Sequence, residues 1–167
     1  MSEYKLNKNV LNQIDDWRKK FPSDQPRSAV IKSLRFIQDH YGWLSDKQLD
    51  ALAAHLEIPS IQVYEVASFY SMYHRKPVGK YTLGVCDSIS CMLCGSHDLI
   101  HYIENKLKVK IGETTQDGLF TLEEVECIAA CTKAPVIIVN GKDYYENMNI
   151  ETVNKLLEKL ENEAKNV

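Results

Sequence analysis

The cysteines of this chain come as two close pairs, Cys86 and Cys91 in a C-x4-C spacing and Cys127 and Cys131 in a C-x3-C spacing. Each pair follows a β-like run. A fold in which the four sulfurs share a role must therefore bring two separate strand-to-loop junctions together. A fifth cysteine, Cys94, stands just beyond Cys91. An odd count without secretory context disfavours a disulfide framework and favours metal or redox chemistry.

Two loops with two thiolates each suit a [2Fe-2S] cluster, because each of its irons takes two protein ligands besides the bridging sulfides. The spacing leaves two assignments open. Cys86, Cys91 and Cys94 spell C-x4-C-x2-C, the local spacing of plant-type ferredoxins, with Cys127 or Cys131 as the fourth ligand. Alternatively the ligands are Cys86, Cys91, Cys127 and Cys131, with Cys94 a bystander. The pairing of Cys127 with Cys131 favours the second assignment, since the first leaves one of that pair unexplained. Zinc is a competing use of four thiolates, although structural zinc sites more often use two tight knuckles. Residues 91–94 formally make a CxxC, but a thiol oxidoreductase would leave Cys86, Cys127 and Cys131 without roles.

Composition narrows the class further. A chain of 167 residues, 44% hydrophobic and 26% charged, is long enough for a small helical unit beside a compact α/β domain. A net charge of -3 and the lack of a basic stripe with interleaved aromatics argue against nucleic acid as a partner. The segment MSEYKLNKNVLNQIDDW carries acidic residues in a helical pattern and resembles neither a signal peptide nor a mitochondrial targeting segment. No run approaches the roughly 18 apolar residues of a membrane span, so direct membrane insertion is not expected and the chain reads as cytosolic and bacterial. Neither GxGxxG nor a P-loop is present: Gly79 to Gly84 has the P-loop spacing but is followed by Val-Cys. His97 and His101 lie one helical turn apart without the glutamate that the zinc-protease pattern HExxH needs, and read as a solvated face.

Residues 1–76 read as a small helical bundle. The pattern predicts helices over Lys8 to Lys20 and Ser28 to His40, the latter ending near Gly42. Ser45 with Gln48 is a capping-box signature for a third helix through His55, and Pro59 suits the first turn of a fourth. Phe69, Tyr70 and Tyr73 are expected in the core, with a partner surface as the other reading. Residues 77–167 read as an α/β domain. Lys80 to Val85 alternates like a strand that delivers Cys86, and a helix follows over Ser96 to Leu107. Strands are predicted near Leu119 to Val125, over Val136 to Val139 and over Asp143 to Glu146. Asn140-Gly141 signals a type I′ turn between the last two. A final helix spans 150–164. The order is that of an α+β chain whose second domain has a thioredoxin-like layout with a mixed sheet.

VCDSISCMLCGS, DGLFTLEEVECIAACTKAP and VNGKDYYENM resemble the thioredoxin-like [2Fe-2S] ferredoxin family. The likeness extends into the helical part through HYGWLSDKQLDALAAHLEIP and VYEVASFYSMYHRKPVGKY. Within the family it is to the small [2Fe-2S] subunit type of respiratory NADH:quinone oxidoreductase (complex I), with related subunits in NAD-linked hydrogenases and formate dehydrogenases. The resemblance implies one [2Fe-2S] cluster on Cys86, Cys91, Cys127 and Cys131, no catalytic residue on this chain, and single-electron exchange with a flavin. FMN and NADH would sit on an adjacent flavoprotein subunit, beside a large iron-sulfur subunit, in a complex peripheral to the cytoplasmic face of the inner membrane. Cys94 stands where such sequences commonly have Arg, and Ala129 where Gly is common; neither departure removes a ligand. Asp87, Glu123, Glu124 and Glu126 would oppose reduction and Lys133 would favour it.

Overall fold

A computed structural model describes residues 4–165. Residues 1–3, the start of the acidic N-terminal segment, and residues 166–167 lie outside it. The chain forms two compact units that divide between Pro77 and Val78.

The first unit is helical: α1 (Lys8–Arg18), a 3-10 turn (Pro26–Ala29), α2 (Val30–Tyr41), α3 (Asp46–Leu56) and α4 (Ser60–Phe69). Local chemistry sets the ends. Asn7 caps α1, its side-chain oxygen accepting from the Asn9 N–H at 2.8 Å. The pattern predicts α2 from Ser28, but Pro26 at the first position of the 3-10 turn draws residues 26–29 into tighter winding. Ser45 and Gln48 form the capping box that opens α3, the Gln48 amide oxygen accepting from the Ser45 N–H at 2.7 Å. Pro59 is the N-cap of α4, one position ahead of the first turn. Val10, Ile14, Leu34, Ile37, Leu49, Leu52, Leu56 and Val63 fill one core. Each contributes about 1.5–3 kcal/mol by leaving water.

The aromatics after α4 divide. Tyr73 is buried and its hydroxyl donates to the Ile31 carbonyl at 2.6 Å, whereas Phe69 is 81% exposed and Tyr70 is also on the surface. Core packing therefore holds for Tyr73 and fails for Phe69, because α4 ends at Phe69 and the chain turns there. The buried Gln38 amide holds that turn, donating to the Met72 carbonyl at 2.9 Å and accepting from the His74 N–H at 2.7 Å.

The second unit carries β1 (Tyr81–Cys86), α5 (Ile89–Leu93), α6 (Ser96–Leu107), β2 (Phe120–Val125), a 3-10 turn (Cys131–Lys133), β3 (Ile137–Val139), β4 (Asp143–Tyr145) and α7 (Ile150–Lys165). The sheet order is β2-β1-β3-β4, with β1 parallel to β2 and antiparallel to β3, and β4 antiparallel to β3. It is a mixed sheet, and the chain as a whole is α+β. All six residues of β1 are buried. Its alternation divides two apolar groups: Leu83 and Val85 join the main core with α6 and α7, while Cys86 joins a smaller one. An interior strand has no solvent face to show.

Several local signals account for the rest. Gly79 lies so close to β2 that a Cβ there would meet the Phe120 and Leu119 backbone at 2.8 and 2.9 Å. Asn140 and Gly141 have φ of 53° and 61°, the two positive values a type I′ turn needs. Asn149 and Thr152 open α7 reciprocally, through Asn149 N–H to Thr152 Oγ1 at 2.8 Å and Thr152 N–H to Asn149 Oδ1 at 3.0 Å. Val153, Leu156, Leu157 and Leu160 then face the core. The outer edge of β2 is partly covered by the preceding loop, through Gly112 N–H to Leu122 O and Leu122 N–H to Glu113 O.

Candidate metal centre

Parallel pairing decides where the cysteines go. Because β1 and β2 run the same way, both chains leave the sheet at one edge, and the register sets Cys86 beside Val125. The first cysteine loop starts from the end of β1 and the second from the end of β2. Cys86 N–H donates to the Val136 carbonyl at 3.1 Å and Asp87 N–H to the Val125 carbonyl at 3.0 Å, which pins the start of the first loop to both neighbours.

Within the first loop, the short helix α5 turns Cys91 back toward the sheet. Five residues are too few to show periodicity, so no pattern in the sequence announces this helix. Cys86 and Cys91 are each 2% exposed and pack with Val136, flanked by Val125, Ile128, Ala130 and Ala134. Cys127 and Cys131 are exposed in the second loop, their sulfurs 3.4 Å apart. All five cysteines are free. Cys94 is exposed at the C-cap of α5.

Electrostatics ties the pairs together. Burial, then a hydrogen bond with Cys86, pushes the Cys91 thiol up to about 11, with the charges of Cys86 and Cys131 adding to the rise and a Val136 backbone hydrogen bond opposing it. Cys131 is raised first by its hydrogen bond with Cys127, and a Ser90 hydrogen bond pulls the other way. The buried Cys91 thiol and the Cys131 thiol beside Cys127 are thus both disfavoured as lone thiolates. A cationic centre that shares them reverses that balance. The donor set of two sulfur pairs on facing loops fits a two-iron centre, which takes a pair on each iron. Among the described residues no three His, Cys, Asp or Glu side chains converge on one point as a single-ion site.

An acidic surface borders the first loop. His97 Nε2 lies 2.6 Å from Asp87 Oδ1. Glu124 is held above the usual carboxylate range, first by its hydrogen bond with Asp87, then by partial desolvation and the Asp87 charge, while His97 opposes. Asp87, Glu124, Val125 and Glu126 line an open cavity of ≈ 360 Å³. Spacing marks His97 only as a solvated helix residue; it is exposed, but the carboxylate it meets comes from a different loop. His101 is solvent-facing and pairs with Glu104 of its own helix at 3.4 Å. Lys133 is exposed at the end of the second loop's 3-10 turn.

The family model of the thioredoxin-like [2Fe-2S] ferredoxins matches residues 14–161. The chain belongs to that family. A relative from Rickettsia felis, named as a subunit of NADH-quinone oxidoreductase, is 42% identical over 166 residues, covering 99% of this chain and 99% of its own length. A relative from Rhizobium meliloti, named as the same kind of NADH-quinone oxidoreductase subunit, is 43% identical over 132 residues, 79% of this chain and 78% of that one. Among solved structures, an NAD+-reducing [NiFe]-hydrogenase in the H2-reduced state matches with a TM-score of 0.69 at 19% identity, over 79% of this chain. The match spans 22% of the hydrogenase chain, so the fold recurs there as one part of a longer polypeptide. The thioredoxin-like fold is common to both. No helix among the described residues is long and apolar enough to cross a membrane.

Proposed function

We propose that this chain is the electron-transfer subunit of the NADH dehydrogenase module of complex I, with one [2Fe-2S] cluster held by Cys86, Cys91, Cys127 and Cys131. The observation that supports the ligand assignment is the parallel β1/β2 pair, from whose adjacent ends the two cysteine loops start. Cys86 and Cys91 would hold one iron from the buried side, and Cys127 and Cys131 the other from the exposed side. Cys94 takes no part; the pairing of Cys127 with Cys131, whose sulfurs lie 3.4 Å apart, supports the bystander assignment over the plant-type one. When bound, the cluster supplies one-electron storage, the step that a flavin needs to pass on a hydride's two electrons singly.

This chain's own residues would set the terms of that exchange. The apolar wall of Val136, Val125 and Ile128 keeps water from the Cys86 and Cys91 sulfurs. Asp87 and Glu124 place negative charge beside the site and oppose an added electron. Ile89 and Leu93, 73% and 76% exposed on α5, frame the first loop with apolar surface of the kind a protein partner covers. That partner is the FMN- and NADH-binding flavoprotein subunit, with the large iron-sulfur subunit in the same module. The module would lie peripherally on the cytoplasmic side of the inner membrane. The names of the full-length relatives favour complex I over an NAD-linked hydrogenase.

Iron and acid-labile sulfide in anaerobically purified protein, with an EPR spectrum after dithionite reduction, test the reading. About two of each per chain and a signal from one unpaired electron are expected. Zinc without sulfide would make the cysteines a structural clamp and the chain an interaction module.

A further inference from the structure

We infer that Tyr144 is a positioning residue of the cysteine centre, its hydroxyl reaching over from the β3–β4 hairpin to hold the peptide that follows Cys127. The inference rests on the cluster reading above and goes beyond its four ligands.

The placement starts with β4, an edge strand paired to β3 with Tyr144 opposite Ile138 and Tyr145 opposite Ile137. Consecutive strand residues face opposite sides of a sheet, so the two tyrosines diverge. Tyr145 packs against the main core, and its hydroxyl accepts from Lys159 Nζ at 3.3 Å. Tyr144 is 50% exposed, and its hydroxyl donates to the Ile128 carbonyl at 3.2 Å. What this surface ring reaches is therefore the second cysteine loop. The chain past β4 makes a further tie there, Asn147 N–H donating to the Lys133 carbonyl at 2.7 Å. The two ties bracket Cys131, one on each side of it in sequence.

Ile128 directly follows Cys127, and its side chain packs against the buried group of Cys86, Cys91 and Val136. With the side chain held there and the carbonyl held by Tyr144, the peptide between Ile128 and Ala129 is fixed from two directions. Ala129 comes next with φ of 61°, a left-handed conformation that an alanine adopts only at a cost, so the turn depends on such outside ties. A trans peptide carries its N–H opposite its carbonyl, and the hydroxyl that fixes the Ile128 oxygen thereby fixes the heading of the Ala129 N–H. The hydroxyl proton also offsets the partial negative charge of an oxygen one residue from a ligand. Without it the carbonyl is uncompensated and free to turn toward the sulfurs, which disfavours the more negative, reduced state of a cluster they hold.

The test compares Tyr144→Phe and Tyr145→Phe with the unmodified full chain, each purified anaerobically, by iron and sulfide content and by an EPR-monitored redox titration. Tyr144→Phe removes one surface hydroxyl and keeps the ring, whereas Tyr145→Phe removes the neighbouring hydroxyl that faces Lys159. The unmodified chain is expected to hold about two irons and two sulfides. Tyr144→Phe should disfavour reduction about fivefold, a midpoint lower by about 40 mV for a one-electron couple, with shifted g-values, and Tyr145→Phe should keep the original values. Loss of iron and sulfide from Tyr144→Phe alone supports the same role through the hydroxyl. A fully loaded Tyr144→Phe with unchanged midpoint and g-values overturns the inference, as does an equal change in both variants. Zinc without sulfide in the unmodified chain overturns the cluster reading itself, and this inference with it.

Discussion

Raising the pH of the cluster-free protein from about 8 to about 10.5 should cost about 2 kcal/mol of folding stability through Cys91 alone. The folded thiol sits at about 11 against an ordinary 9.0, chiefly because burial penalises the thiolate and secondly because it hydrogen-bonds Cys86. A folded value raised above the unfolded one means the folded state keeps its proton longer. The contribution is therefore complete below the unfolded value and is lost as pH rises through the folded one. Between those pH limits the unfolded thiol becomes almost wholly ionised while the folded one is only about a quarter ionised, which gives the 2 kcal/mol. Tyr73, raised to about 12 by burial, adds a loss of the same sign. The measurement is therefore a comparison: urea unfolding of the reduced, cluster-free protein and of Cys91→Ala at both pH values, without oxygen. The unmodified protein should lose about 2 kcal/mol more than the variant. Equal losses would show that the Cys91 thiol is not held in the buried, Cys86-bonded state described here. The same raised value implies that metal loading must expel a tightly held proton, so loading should quicken as pH rises.

Three further outcomes follow from particular contacts. Cys94→Ser should keep iron and sulfide at the level of the unmodified protein, whereas Cys127→Ser should lose or destabilise them; the reverse result would restore the plant-type assignment. Phe120→Ala removes the largest of the fully buried side chains and should cost about 3–5 kcal/mol in urea unfolding, and a change under about 1 kcal/mol would contradict the packing of β2 against β1. Asp87→Asn should lower the Glu124 carboxyl toward the ordinary range, since Asp87 is the first cause of its rise; NMR titration of the Glu124 side chain reads this directly, and an unmoved value would separate the two groups.

The likeness of the cysteine segments to the family was legible because chemistry dictates it locally: thiolate pairs a few residues apart, with turn residues around them. The same holds for the Ser45–Gln48 capping box and the Asn140-Gly141 turn, whose hydrogen bonds and positive φ values involve neighbours in the chain. Helical and strand periodicity placed every long element to within a few residues. Where it failed, the cause was length or competition. The helix α5 is only five residues long, and residues 26–29 were claimed by a proline-led 3-10 turn. The core expectation for Phe69 failed because residue order does not say where the bundle surface begins.

What residue order alone determined, then, was the chemistry available: four paired thiols, two hydrophobic cores and the turns between them. What tertiary structure decided was which groups meet. That Cys86 and Cys127 lie at one edge follows from the parallel β1/β2 register, a pairing across about forty residues that no local pattern encodes. The contact between Asp87 and His97 joins positions whose neighbours in sequence point elsewhere. Hydrogen bonds and charges act over a few ångströms of space, whereas periodicity records only neighbours along the chain, so the candidate ligands and the charged residues near them were readable and the partners those side chains meet were not.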